Sequence, residues 1–384
     1  MSRPDPKSRR FPCNKKRLTS PPSLESIGQI GNTISAFTCP VHPHVIIFPV
    51  NPTMLAKYRR AFVPSGAKDD PSDAALALDL LLRHPERLAP LKRESEDMRA
   101  LRRLVQARRD LVQDRVRVTN RLTFTLKEYF PQIVEWFRDK ETDVFAAFLE
   151  RWPSLQAVQR ARRETIVAFF HAHGVRHAGA IERRVNAIQT ERPLTTDPAV
   201  IEPALAVVTT LLPQLRALSA GVARLDADIA KRCQALPDFR LFAALPGAGP
   251  VFASRLLAGF GENRQRFADA AAVQKCVGVA PVTERSGNKH WVHWRWACPT
   301  FLRQTFVEWV GQTIPRSFWA KAFYQARRAR GARHQAALRA LACKWIRVLH
   351  RCWVDRVAYD ESRYLMALQK RQAPLLKFAA ESST

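Results

Sequence analysis

Two long hydrophobic stripes limit how this chain can fold. Leu101, Leu104, Val105, Leu111, Val112, Thr119, Leu122, Leu126 and Tyr129 recur at steps of three and four residues. Ile201, Leu205, Val208, Leu212, Leu215, Leu218, Val222, Leu225 and Ile229 keep the same period. That spacing places each set along one face of a helix. Neither stripe is wide enough to be a core alone, so the simplest burial is one against the other, as an antiparallel helical coiled-coil pair. The opposite face of the first helix carries Arg102, Arg103, Arg108, Arg109, Arg115 and Arg117. Residues 140–190, between the stripes, read as a small helical cap, a spacer rather than a site.

The flanks have a different texture. Residues 1–43 hold seven lysines and arginines against Asp5 and Glu25, with several prolines and no period, and are expected to be disordered. Val45-Ile46-Ile47-Phe48, ended by Pro49, suits a buried strand. A helix is expected from about Met54 to the break at Pro64-Ser65-Gly66, and another from Pro71 to about His84. Residues after Arg371 read as a loose tail.

Charge narrows the function. Lysine plus arginine is 62 and aspartate plus glutamate 34, a net +28 with pI near 10.8. An excess of this size repels itself unless a polyanion neutralises it, and nucleic acid is the natural partner. A ribosome-associated or membrane-surface protein is the plainer alternative. No apolar run approaches the ~18 residues a membrane helix needs, and no basic amphipathic anchor or secretory signal is evident. No membrane partner and a cytoplasmic location are therefore expected. Seven scattered cysteines without a CxxC pair argue against a disulfide scaffold or a cysteine zinc site.

Several segments could carry chemistry. Leu245-Pro246-Gly247-Ala248-Gly249-Pro250 interrupts two helical patterns, Phe239–Leu245 and Val251–Phe260. A helix, a Gly-x-Gly turn and a second helix can offer backbone N–H groups to a phosphate, the helix–hairpin–helix pattern centred on Gly247 and Gly249. A tight turn between core helices is the plain alternative. Asp70 and Asp73 lie three apart with Pro71 opening a helix, a placement that can hold Mg²⁺ or simply favour a helix start. Ser286, beside Gly287 and among cations, could approach a phosphate as a nucleophile, or be an ordinary turn serine. Between Glu308 and Asp355 lie ten basic residues and no acid. There Arg327, Arg328, Arg330 and Arg333, candidates for DNA binding, sit among Phe318, Trp319, Phe323, Tyr324 and Trp345. His171, His173 and His177 offer no obvious fourth zinc ligand. Trp291, Trp294 and Trp296 read more simply as packed on a short strand than as stacking on bases.

Together these segments resemble a known family. Pro49-Val50-Asn51-Pro52, Ala67–Ala74, Leu245–Pro250, Gly278-Val279-Ala280-Pro281, Ser286-Gly287 and Cys298-Pro299-Thr300-Phe301-Leu302-Arg303-Gln304 occur in the order seen in the DEDD transposases of bacterial insertion-sequence family 110, relatives of the Piv-type DNA invertases. The resemblance spans roughly Val45 to Leu365. It implies an RNase H/RuvC-like domain with four acids around Mg²⁺, a helical coiled-coil linker, and a C-terminal domain whose serine bonds covalently to a DNA phosphate. By this resemblance Asp70 and Asp73 match the last two acids and Ser286 the nucleophile. It also implies dimers or tetramers and, in some members, an element-encoded guide RNA. The chain departs from the family at its start. No apolar strand bears a first aspartate, Asp5 lies in a Pro- and Lys-rich stretch, and Gln29 stands where a glutamate belongs, with Glu25 nearby. Residues 1–43 are thus expected to be a replaced or frame-shifted beginning.

The expected architecture is mainly α. It comprises an aberrant segment at 1–43, an incomplete RNase H/RuvC-like α/β fragment at 44–92, a long antiparallel helical coiled-coil linker with its cap at 93–235, an α-helical C-terminal domain with a helix–hairpin–helix at 236–365, and a tail at 366–384. The function expected is DNA transposition by cleavage and joining through Ser286 with Mg²⁺ at Asp70 and Asp73. The alternative is a truncated, inactive relative that only binds nucleic acid. A DNA-repair binding protein using the glycine turn alone ranks behind both.

Overall fold

The structure, a computed structural model, describes residues 46–375 apart from Val63, Pro64, Gly66, Ala89 and Arg93. The expectations for residues 1–43 and for the end of the tail fall outside those residues. The described chain is mainly helical, and its one sheet is two-stranded.

The strand expected at Val45–Phe48 is not found: residues 46–50 carry no regular structure. A strand needs a ladder of partners, and among the described residues this segment makes a single backbone bond, from Leu91 N–H to the Ile47 carbonyl at 2.8 Å. Helices α1 (Pro52–Phe62) and α2 (Asp70–Arg83) follow as the sequence suggests.

The chain divides into two compact units. The first spans residues 94–262 with 356–358. It is built on α3 (Glu96–Tyr129), and after α4 (Gln132–Trp136), α5 (Asp143–Arg151), α6 (Leu155–Gln159), α7 (Arg163–Ala172) and α8 (Ala178–Thr190) comes α9 (Pro198–Ala235). Ser95 caps α3 by accepting from Met98 N–H at 3.2 Å, while Asp197 caps α9, with Pro198 at its first position. The two long helices run antiparallel. Asp97 pairs with Arg232 at 3.2 Å, Asp226 with Arg108, and Leu111 packs against Gly221, so rising numbers on one helix meet falling numbers on the other. Gly221 is small because a Cβ there would lie 3.1 Å from Leu111 Cδ1.

The arginines of α3 do not simply form a solvated face. Arg102 and Arg115 are partly buried and bind Glu94 and Glu141. The sequence also understates α9, which holds an 18-residue window of mean hydropathy 1.4, long and apolar enough by that measure to cross a membrane. Alanines and prolines between the larger residues disguise it. The cap, α4 to α8, closes over an aromatic core in which Phe137, Trp152, Phe169 and Phe170 surround Phe148, itself wholly buried. Two further helices, α10 (Phe239–Ala243) and α11 (Gly249–Phe260), belong to the same unit. Arg102 Nε donates to the Ala258 carbonyl at 2.8 Å, and Ser95 Oγ donates to Glu262 at 2.8 Å.

The second unit holds α1, α2, α12 (Ala270–Val277), β1 (Val282–Ser286), β2 (Lys289–His293), α13 (Thr300–Thr313), α14 (Phe318–Ala329), α15 (His334–Asp355) and α16 (Glu361–Lys370). Its core is tryptophan-rich: Trp309, Trp319, Trp345 and Trp353 are fully buried. A buried indole N–H needs an acceptor; Trp345 donates to Thr313 Oγ1 at 3.0 Å and Trp319 to the Tyr359 hydroxyl at 2.8 Å. Trp319 and Trp345 are therefore core residues and not part of an aromatic surface among the arginines.

Candidate functional site

Ser286 ends β1, and the turn Gly287-Asn288 leads straight into β2. Gly287 has φ +56° while Asn288 keeps a negative φ, the pattern of a type II′ hairpin turn, in which glycine fits the first central position. The register pairs Ser286 with Lys289, Arg285 with His290, Glu284 with Trp291 and Val282 with His293. Every residue from Thr283 to Val292 is exposed. The hairpin has no core of its own, so the serine hydroxyl is presented rather than packed.

Its base is rigid by contrast. Asp269 caps α12 by accepting from Ala272 N–H at 2.7 Å, and Gly278 ends that helix in the left-handed region at φ +78°. A Cβ on Gly278 would lie 2.8 Å from Cys298 Cβ and closer still to its sulfur. The Gly278-Val279-Ala280-Pro281 segment is thus locked against Cys298. Arg303, one turn into α13, ties the far side of the hairpin down by donating from Nη2 to the carbonyls of Arg295 at 2.8 Å and Trp296 at 3.2 Å.

The expectation that the three tryptophans pack away is overturned for two of them. Trp291 is 46% exposed and Trp296 78% exposed. A two-stranded hairpin offers Trp291 no second layer, and Trp296 lies in the segment after β2. Trp294 is instead held between guanidinium groups, Arg339 at 4.1 Å and Arg303 at 4.8 Å from its ring centroid. Burial and the neighbouring Arg303 push the Arg339 pKa down. Burial, with Arg347 and Arg327 nearby, does the same to Lys344, which lies over Phe323 at 4.7 Å. No described ion pair engages Arg303, Arg339 or Lys344, and a bound anion would relieve their mutual repulsion. The sequence reading missed Arg295, Arg303, Arg339 and Lys344 here. The acid-free run between Glu308 and Asp355 was the available signal for Arg339 and Lys344.

Glu284 is the carboxylate on the hairpin, and each of its oxygens has a hydrogen-bond partner. Its Oε1 meets His293 Nε2 at 2.8 Å and its Oε2 accepts from Trp291 Nε1 at 3.0 Å. The hydrogen bond to His293 holds the Glu284 carboxyl below its usual range, and the same bond raises His293.

Of the other expected site residues, Asp70 is exposed in the first turn of α2, whereas Asp73 is turned inward onto Arg59 of α1, Nε to Oδ1 at 2.7 Å. Side-chain exposures of 10% for Arg59 and 17% for Asp73 make this a mostly buried ion pair. Asp79 on the same helix accepts from the Tyr58 hydroxyl at 2.5 Å, a second tie between α1 and α2. As the side chains stand, Asp73 is engaged by Arg59, and Asp70 alone is open to a divalent cation. Arg59 already supplies the positive charge, and no group of three or more His, Cys, Asp or Glu that could hold a metal occurs among the described residues. No described hydrogen bond or ion pair joins Ser286 to Asp70 or Asp73.

Gly247 and Gly249 lie in the other unit, at φ +70° and +52°, in the turn between α10 and α11. Gly249 has open space where a Cβ would be, so its backbone conformation, not crowding, calls for glycine. Arg327, Arg328, Arg330 and Arg333 are exposed at and after the end of α14; Arg327 stacks on Phe323 at 5.5 Å, and Arg328 Nη1 donates to the Ala332 carbonyl at 2.9 Å. In the cap, His173 lies on the Phe169 ring at 4.1 Å and His177 accepts from Ala180 N–H to cap α8.

Comparison with known proteins identifies the family. Residues 24–131 match the DEDD transposase family of IS110, and residues 239–325 match the transposase family IS116/IS110/IS902. A Streptomyces coelicolor mini-circle protein named as a transposase for IS117 is 30% identical over 345 residues, covering 87% of this chain and 80% of its own. This chain belongs to the IS110/IS116 family of insertion-element transposases. An IS110 protein of 43.6 kDa from the same organism is 26% identical over 77% of this chain and 73% of its own. An IS900 protein from Mycobacterium paratuberculosis is 25% identical over 76% of this chain and 73% of its own. The transposase match at 239–325 takes in both the glycine turn and the Ser286 hairpin.

Proposed function

We propose that this transposase cleaves and joins DNA with Ser286 as the nucleophile. One observation carries the reading: the serine hydroxyl stands exposed at the tip of a hairpin whose base is rigid and whose nearest acid is already engaged. Attack forms an Oγ–P bond and breaks one P–O bond to a deoxyribose oxygen. The serine proton ends on the leaving hydroxyl. Around this step, the cations at Arg295, Arg303, Arg339 and Lys344 hold the phosphate backbone. Gly247 and Gly249 serve as a helix–hairpin–helix backbone clamp, and Arg327, Arg328, Arg330 and Arg333 add non-specific grip. The α3–α9 pair serves as a coiled-coil linker in a dimer or tetramer in the cytoplasm, with residues 44–92 as part of an RNase H-like domain. An element-encoded guide RNA is compatible with the same charge.

Mg²⁺ has no step in this scheme, because Arg59 occupies Asp73. That same observation favours the second reading, a relative that binds nucleic acid without cutting it. A duplex carrying an insertion-element end, incubated with the protein and run on a denaturing gel, separates the two. The catalytic reading requires a covalent adduct that Ser286→Ala abolishes; an adduct surviving in the alanine protein removes Ser286 as nucleophile. Binding without any adduct leaves the second reading. In either case affinity falls with salt by roughly 0.9 log units per log unit for each phosphate contact, and a flat response rules out phosphate-dominated binding.

A further inference from the structure

The hairpin register places a second chemical group beside the serine. Strand residues alternate faces, so Val282, Glu284 and Ser286 share one face with their partners His293, Trp291 and Lys289. Thr283, Arg285, His290 and Val292 lie on the other. Ser286 and Lys289 are directly opposed as the pair that closes the turn, a position that brings Cβ atoms to ~4.5–5.5 Å. Lys289 is exposed, and no described hydrogen bond or ion pair uses its ammonium group.

That freedom has a structural cause. Glu284 is one rung away on the same face, within the diagonal reach of a long side chain at ~7–8 Å. It would be the natural partner for Lys289. Its two oxygens instead face Trp291 and His293, one each, and these bonds fix the orientation of the carboxylate. The hairpin therefore keeps a hydroxyl and an uncompensated ammonium side by side, with the intervening carboxylate tied back.

We infer that Lys289 is a catalytic residue that binds a non-bridging oxygen of the phosphate attacked by Ser286, and that Trp291 and His293 are positioning residues that stop Glu284 from capturing it. This rests on the reading of Ser286 as nucleophile. Lys289 keeps its protons throughout, and its charge meets the negative charge that grows on the non-bridging oxygens as the Oγ–P bond forms. Arg285 cannot take this role because it projects from the other face. The ligand class is a phosphodiester, and inorganic phosphate is its simplest probe.

The test uses the full chain and two readouts. Inorganic phosphate is titrated while the backbone amide signals of Ser286, Gly287 and Lys289 are followed by NMR. The shifts are expected to vanish in Lys289→Ala, persist in Lys289→Arg and in Ser286→Ala, and weaken in Trp291→Phe, where Glu284 is released. Formation of the covalent DNA adduct is measured alongside. Lys289→Ala is expected to slow it about 10²-fold, the lower end of the cost of removing one preorganised donor, and Lys289→Arg to restore most of the rate. If Lys289→Ala titrates and reacts like the unaltered chain while Ser286→Ala forms no adduct, the role of Lys289 is overturned and the nucleophile stands. If Ser286→Ala still forms the adduct, the nucleophile reading itself fails, and the inference with it.

Discussion

The helical cap and the Ser286 hairpin use the same kinds of side chain to opposite ends. In the cap, Phe148 is wholly buried within a shell of Phe137, Trp152, Phe169 and Phe170. On the hairpin and just after it, Trp291 and Trp296 face solvent. The cap removes apolar area from water on every side, and its aromatics hold the fold together. The hairpin lacks a second layer, and its aromatics orient polar groups: Trp291 holds Glu284, while Trp294 at its base separates two guanidinium groups. An aromatic residue in this chain signals structure or chemistry according to whether a helix covers it.

Four measurements can break or sharpen that contrast. Phe148→Ala should have the largest effect, about 3–5 kcal/mol of stability in denaturant unfolding, with the fluorescence of exposed Trp291 and Trp296 unchanged below the transition. A loss under 1 kcal/mol would mean that the cap core does not carry stability. Gly278→Ala should cost roughly 2–4 kcal/mol, from the positive φ and the collision with Cys298 together. It probes the close packing of Gly278 on Cys298 at the base of the hairpin. Trp296→Ala should change stability by no more than ~0.5 kcal/mol; a cap-sized loss would show that the residue is covered after all.

The smallest effect is a pH dependence in the hairpin. His293 is raised above 6.5, so its contribution is complete below 6.5 and lost as pH rises through the raised value. Glu284 is held below 4.5, so its contribution is complete above 4.5 and lost as pH falls through the lowered value. The pair is therefore firmest between about 4.5 and 6.5. The His293 ring signals should titrate above 6.5 in the unaltered chain and return toward it in Glu284→Gln. An unshifted His293 would mean the pair does not form in solution.

These contrasts also explain what the sequence disclosed. The α3–α9 pairing was legible because a three-and-four spacing over thirty residues has few other solutions, and Asp97–Arg232 and Leu111–Gly221 follow from it. Ser286 was visible only through its company in an ordered set of motifs, since a lone serine before glycine has no spacing to read. The exposure of Trp291 and Trp296 was not legible, because alternation tells which residues share a face but not whether anything lies over it. Arg59 was missed for a related reason. It sits fourteen residues before Asp73, and only the packing of α1 on α2 brings the two together. The strand at Val45–Phe48 shows the opposite error: β-branched residues favour extended backbone, but a ladder must be supplied from elsewhere in the fold.

The turn at Gly287-Asn288 has a consequence for how such a hairpin can vary. Because faces alternate along each strand, adding or removing one residue between Ser286 and Lys289 would shift the register of the whole second strand by a single step and turn its indole, imidazole and ammonium groups away from the hydroxyl. Exchanges of one residue type for another leave that arithmetic of odd and even untouched. Length here is quantised: the hairpin can drift in composition, but not by one.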